Sequence, residues 1–301
     1  MNMKIDNQLH DCILCGSTNL HGLKGYEFAW LTRCADCGMV FSSRNPSLSE
    51  LEEYYKGYGR NDYLSPVTIK RYHQILDGFE SARKTNRLID VGCGIGYFLE
   101  VAKERGWDVY GTEYTDKAIE ICEAKGIKMH KGVLNPDNYE PGSFDVITSF
   151  EVVEHINQPN IEIANFNRLL RKDGILYITT PNFNSLLRYY LKGKYNVIGW
   201  PEHLSYYTPS TLEKLMVKHG FSKQFIQATG ISVTRFLTSK KPSTSEEILE
   251  GTEFVSPETK DEKLRNSFEK NALLGAAKKS VNNLLTLSGK GDALKGLFRK
   301  K

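Results

Sequence analysis

The chain contains no run of eighteen apolar residues, so nothing in it reads as a membrane span. Its opening stretch, MNMKIDNQLHD, is polar and lacks the apolar core of a secretory leader, which sets the expectation of a cytoplasmic protein. Cysteine is scarce, with six in 301 residues. In that compartment a disulfide framework is disfavoured, and paired thiols are read as metal ligands. No charge sign dominates the whole: the net charge is +4. What remains is the composition of an ordinary folded protein, 40% hydrophobic and 25% charged, long enough for one main domain with appendages.

Four of the six cysteines form two C-x-x-C pairs, Cys12/Cys15 and Cys34/Cys37, with 18 residues between them and a glycine, Gly16 or Gly38, after each. Two such knuckles supply four thiolates to one tetrahedral structural zinc. A stretch this short has little core, so metal binding would supply its folding free energy. A redox dithiol needs one reactive pair, not two. Cys93 and Cys122 read as buried filler.

The chain is organised around Leu88-Ile89-Asp90-Val91-Gly92-Cys93-Gly94-Ile95-Gly96-Tyr97-Phe98-Leu99. An apolar run ends in an acid and a glycine-rich turn, and an amphipathic segment follows, as where a buried parallel strand hands over to a helix. The G-x-G-x-G spacing departs from the G-x-G-x-x-G of dinucleotide sites. Asp90 would repel a diphosphate but suits a ligand carrying an ammonium and a sulfonium, as S-adenosylmethionine does. Glu113 ends the next apolar run and is placed to accept from both ribose hydroxyls. Strands at 87–91, 108–112, 127–131, 144–150 and 175–180 alternate with helices at 96–105, 115–125 and 159–171. That alternation implies a parallel sheet with helices on both faces and ligands at the carboxyl ends of its strands.

From about residue 66 to 230 the sequence resembles the class I S-adenosylmethionine-dependent methyltransferases. DVGCGIGYF is similar to their first motif, Glu113 to their ribose-binding acid, and Phe144-Asp145-Val146-Ile147 to Glu154-His155 to their fourth-strand motif. The resemblance implies a Rossmann-like α/β fold. It implies cofactor contacts from Asp90, Gly92, Cys93, Gly94, Gly96, Tyr97, Phe98, Glu113, Tyr114, Phe150 and Glu151, with Val133 and Leu134 at the adenine edge.

Glu151-Val152-Val153-Glu154-His155 lies at the rim where an acceptor would approach. His155 is a candidate general base. Glu151, Glu154 and His155, at i, i+3 and i+4, could instead share a helical face and hold a divalent ion, or the two acids could simply order the loop. His203, in Gly199-Trp200-Pro201-Glu202-His203-Leu204, is a second base or acceptor contact. Tyr58 and Tyr63 are minor candidates for ligand contact.

The domain reading is a ribbon at 8–45, the methyltransferase domain at 46–240, an acidic linker at 241–262 and a basic tail at 263–301. Within that domain, 221–228 and 231–237 read as hairpin-like strands. The tail holds ten basic and two acidic residues, and its apolar residues recur at helical spacing. A basic amphipathic helical tail fits peripheral contact with the inner membrane surface.

Three functions follow. The first is methyl transfer to a small molecule or glycan, since similar zinc-ribbon methyltransferases occur in surface-polysaccharide pathways. The second is RNA methylation. Against it, the ribbon's six charged residues nearly balance, and no N/D-P-P-Y/F motif is present. The third is a non-catalytic cofactor-binding adaptor.

Overall fold

The computed structural model describes residues 8–55, 64–238 and 272–301; Tyr58, Tyr63 and the acidic linker lie outside them. Three short strands open the chain: β1 (Leu20–Gly22), β2 (Leu31–Cys34) and β3 (Val40–Ser42). Two helices follow, α1 (Leu48–Tyr55) and α2 (Pro66–Asp77). A capping box starts α1: Ser47 N donates to Glu50 Oε2, and Glu50 N to Ser47 Oγ. Pro66 occupies the first turn of α2, whose cap Ser65 accepts from Thr68 N.

The βα units then run in order. β4 (Arg87–Val91) leads to α3 (Tyr97–Glu104), and β5 (Asp108–Glu113) to α4 (Asp116–Ala124). β6 (Lys128–Lys131) and β7 (Phe144–Phe150) follow, then α5 (Pro159–Leu169) and β8 (Leu170–Pro181). Next come α6 (Leu186–Leu191), β9 (Ser205–Tyr206), α7 (Pro209–Lys218) and β10 (Phe221–Thr229). The chain closes with α8 (Val233–Thr238), α9 (Ala272–Ser288) and β11 (Ala293–Lys300).

Seven strands form one sheet in the order β10-β11-β8-β7-β4-β5-β6. β8, β7, β4, β5 and β6 are mutually parallel, and β11 is antiparallel to both its neighbours. Two apolar cores pack against this sheet, and a third, around Tyr26, Val40 and Phe183, joins the ribbon to α6. One, around Ile89, Ile147 and Phe166, runs on into the cysteine ribbon through Met39 and Phe41. The other, around Leu88, Phe98 and Val146, packs against α2 and α3.

The structure corrects two expectations. Residues 231–237 are not a hairpin strand, because Val233–Thr238 is helix. The basic tail is helical only through Ser288, and its last stretch is strand β11. Leu294, Gly296 and Phe298 alternate with Lys295, Leu297 and Arg299, and that period of two buries the first set completely. Those apolar residues therefore belong to the core and are not offered to a membrane. The ribbon sheet draws one strand from far along the chain. Its order is β1-β2-β3-β9, with Val40 paired to Tyr206 and Phe41 to Ser205. A strand following the His203 loop thus completes it and joins the ribbon to the rest of the fold. Among the described residues no helix is long and apolar enough to cross a membrane.

Asp145 carries a role the sequence did not announce. Fully buried, its Oδ2 accepts the N–H groups of Lys84, Thr85 and Asn86, and its Oδ1 accepts from Arg171 Nε at 2.6 Å. The acid of the fourth-strand motif therefore ties the approach to β4 onto β7 and β8.

Candidate active site

The glycine turn after β4 is tied to the end of β5. Gly92 N and Cys93 N both donate to the Thr112 carbonyl at 3.0 Å, and Gly94 N donates to Glu113 Oε2 at 3.0 Å. Glu113 Oε1 accepts from Tyr114 N and Thr115 N. Glu113 thus holds the turn as well as standing where a ribose would be met.

Three glycines of the turn have positive φ, and each meets a different surrounding. A Cβ at Gly92 would come within 2.5 Å of Val152 Cγ2, and one at Gly96 within 2.8 Å of Cys122 Sγ. At Gly94, φ +54, a Cβ would meet nothing within 4 Å. The backbone there borders open space that a side chain would fill and a ligand can use.

Asp90 lies beneath this turn, 3% exposed, accepting from Thr148 Oγ1 at 2.7 Å. Burial pushes its carboxyl up to about 7; the Thr148 hydrogen bond opposes the rise and the Glu113 charge adds to it. A negative site so poorly solvated gains most from a cationic ligand.

The remaining expected cofactor residues divide. Tyr114, Val133 and Glu151 are exposed at strand ends, and Cys93 and Phe150 are partly exposed. Phe98 and Leu134 are buried. Phe98 packs edge-to-face on Phe150 and Tyr72, so its side chain serves the core. The Tyr97 ring is covered by Lys125 Nζ from the end of α4.

On the acceptor side, His155 and His203 meet with ring centroids 4.8 Å apart. His155 Nδ1 lies 2.7 Å from the Glu202 carbonyl, and His203 Nδ1 lies 2.6 Å from the Val197 carbonyl. Carbonyls only accept, so each Nδ1 carries a proton, and in the neutral ring the lone pair is on Nε2. Burial lowers His203 to about 4, with His155 adding to the effect. It is a neutral imidazole at neutral pH.

Glu154, also buried, accepts from Thr180 Oγ1 at 2.9 Å, and burial raises its carboxyl well above the ordinary range. Ligand atoms of Glu154, His155 and His203 all lie within 4.8 Å of one another. The expected Glu151/Glu154/His155 set is corrected here. Glu151 has φ +52 and Val153–His155 is a single 3-10 turn, so the chain does not put Glu151 on a shared helical face. His203 takes the third place.

The loop bearing His203 is held by the ribbon. Leu204 N donates to the Glu154 carbonyl, and Ser42 N donates to the Leu204 carbonyl, both at 2.8 Å. The Arg44 guanidinium sits 4.7 Å from the Trp30 ring centre and 4.5 Å from that of Trp200. Trp200 Nε1 returns a hydrogen bond to the Arg44 carbonyl. No local pattern marks Trp30, Arg44 and Trp200 as partners in the sequence.

The four ribbon cysteines converge as expected. Cys12 and Cys37 sulfurs are 3.5 Å apart, and those of Cys15 and Cys34 are 3.6 Å apart. A tetrahedron with Zn–S of about 2.3 Å spaces its sulfurs by about 3.8 Å, so the set fits such an ion closely. Gly16 N and Gly38 N donate to the Cys12 and Cys34 carbonyls, forming both knuckles.

This sheet order, with an acid and a glycine turn at the carboxyl end of its first parallel strand, defines a class I S-adenosylmethionine-dependent methyltransferase. A family model described as a methyltransferase domain matches residues 65–224, and the chain belongs to that family. It is 28% identical over 184 residues to a ubiquinone biosynthesis O-methyltransferase of Pelagibacter ubique, covering 57% of this chain and 75% of the relative. Against the enzyme of the same name from Idiomarina loihiensis it is 25% identical, covering 50% of this chain and 66% of the relative. The counterpart in Thiobacillus denitrificans is matched over 46% of its length. Among solved structures, a methyltransferase from Galdieria sulphuraria aligns with a TM-score of 0.53 at 17% identity, over 83% of this chain and 97% of that one. An Archaeoglobus fulgidus SAM dependent methyltransferase gives 0.50 at 19%, over 83% and 98%. These two share the fold.

Proposed function

We propose that the enzyme methylates a hydroxyl oxygen of a small-molecule acceptor, a sugar or glycan being the class first in line. The observation that carries the oxygen assignment is the pair of imidazoles, both with Nδ1 bound to a carbonyl, which makes Nε2 the accepting nitrogen of each neutral ring. A hydroxyl is a poor nucleophile until its proton is drawn off as it attacks. Bound S-adenosylmethionine supplies a methyl group already activated by its sulfonium. Asp90 and the glycine turn position the donor, and His155 or His203 Nε2 takes the acceptor proton. Glu154 lies beside both rings, and an imidazolium formed there would draw its raised carboxyl back toward the carboxylate. The relatives named O-methyltransferases support the oxygen assignment, and the resemblance to ribbon-bearing sugar enzymes supports the acceptor class.

A second reading rests on the same cluster: Glu154, His155 and His203 would hold a divalent ion against an acceptor oxygen. We further propose a structural zinc at Cys12, Cys15, Cys34 and Cys37, a closed set with no open position for chemistry.

The test is a labelled-methyl transfer screen of cell-extract fractions, with Asp90→Ala as the blank. Label in an alkali-stable product of the small-molecule or glycan fraction is the expected outcome. Label in RNA overturns the acceptor class, and label at nitrogen or carbon overturns the role of the histidines. Magnesium-dependent turnover that is lost together with metal binding when Glu154, His155 or His203 is replaced favours the ion.

A further inference from the structure

Away from the active site, α6, α8 and α9 meet on one surface. Tyr190 of α6 packs on Phe236 of α8, with ring centroids 5.9 Å apart. Just beyond α9, Lys290 Nζ lies 4.1 Å from the Tyr189 ring centre, and its carbonyl accepts from Leu186 N at 3.0 Å. Gly230, ahead of α8, donates to Asn282 Oδ1 of α9. The three helices are therefore neighbours.

Their inward residues are accounted for. Leu187 and Leu191 of α6 and Leu285 of α9 are buried. Their outward residues are unusually apolar: Leu186 is 49% exposed, Tyr190 66%, Val281 48%, Leu284 66% and Leu287 85%. Val281, Leu284 and Leu287 recur every three residues, forming one stripe along α9. The charge is one-sided as well. Segments 182–200, 231–238 and 272–291 together hold seven lysines and arginines, of which Arg188 is buried, and no aspartate or glutamate. Outside 263–301 the rest of the chain sums to a net negative charge.

We propose that this composite face rests on an anionic lipid surface. Aliphatic side chains in a field of lysines satisfy both requirements of interfacial binding, apolar insertion and attraction to acidic headgroups. A nucleic acid would use the charge but leave the exposed leucines without partners. A second copy of the chain would bring like charges against like. The face differs from the sequence expectation, since β11 is withdrawn into the sheet and α6 and α8 replace it.

The test is co-sedimentation of the full-length chain with phosphatidylglycerol vesicles and, in parallel, with phosphatidylcholine vesicles. Binding to the acidic vesicles alone, weakened by salt, is expected. Leu284→Asp with Leu287→Asp should weaken it about tenfold or more. Lys278→Glu should weaken it about fivefold. Ile161→Asp, at an equally exposed apolar position on α5, should leave it unchanged. Because vesicle binding is read without turnover, its failure is distinct from failure of the acceptor assignment. S-adenosylmethionine affinity of the double variant is measured alongside as the check on folding. No binding, equal binding to neutral vesicles, or binding undiminished in a folded double variant overturns the proposal. So does RNA capture in place of vesicles, or a shift from dimer to monomer in the double variant without vesicle binding.

Discussion

His155 and His203 stand edge to face, 4.8 Å between ring centres, each with its Nδ1–H spent on a backbone carbonyl. On the proposed mechanism one imidazole is the base and the other its electrostatic neighbour. His155→Ala and His203→Ala should each lower kcat by about 10²–10⁴ while leaving donor affinity nearly unchanged. Steady-state kinetics with donor titration by calorimetry checks both. A combined loss no larger than the greater single loss would show that the two act as a unit.

Donor binding should be linked to proton release. Asp90 in the free protein titrates near 7, against about 3.9 in an unfolded chain. A cationic donor favours the carboxylate, so binding at about pH 6 expels a proton and affinity falls as the pH drops below 7. For folding the sign is opposite. The raised carboxyl contributes stability below about pH 4, and that contribution is lost as pH rises through 7. Calorimetry in buffers of different ionisation enthalpy reads the proton, and Asp90→Asn should abolish its release.

Gly94 and Gly96 should fail in different ways. Alanine at either site pays for a left-handed backbone, about 1 kcal/mol. At Gly96 the new Cβ also strikes Ile127 and Cys122, both buried, so thermal stability drops further. At Gly94 it meets open space, so folding is nearly preserved while donor affinity falls. Melting curves with and without donor separate the two.

Removing the metal should reach the acceptor site. Metal analysis is expected to find one zinc per chain, lost in Cys34→Ser. Because Ser42 N and Leu204 N connect β3 to the Glu154 carbonyl, the variant should lose turnover before it loses donor binding. Equal loss of both would indicate global unfolding instead.

Phe298 is fully buried in β11, and Phe298→Ala should cost about 3–5 kcal/mol. Chemical denaturation measures it. A shift within error would contradict the placement of the final strand in the core.

The parallel βα succession was legible because Leu88–Val91, Val109–Thr112 and Phe144–Phe150 are short apolar runs closed by turn signals, a local property. The cysteine cluster was legible from spacing alone. β11 was not, because Ala293–Lys300 alternates in a stretch so basic that its charge masks the period of two. The meeting of His155 with His203 depends on how far the 182–204 segment folds back, which no local pattern encodes. Likewise the grip of Arg44 between Trp30 and Trp200 joins three isolated residues. Asp145 was read as part of a motif, but its carboxylate turned out to organise the backbone around β4.

The position of β11 sets the order of events during synthesis. Its two neighbours, β8 and β10, are complete long before residue 293 leaves the ribosome, and neither pairs with the other. Until then the nascent chain carries a gap in its sheet, flanked by two unpaired strand edges. Each edge is a template for a stray strand from a neighbouring polypeptide. The enzyme's window of vulnerability to aggregation should therefore close only when that last strand slides into place.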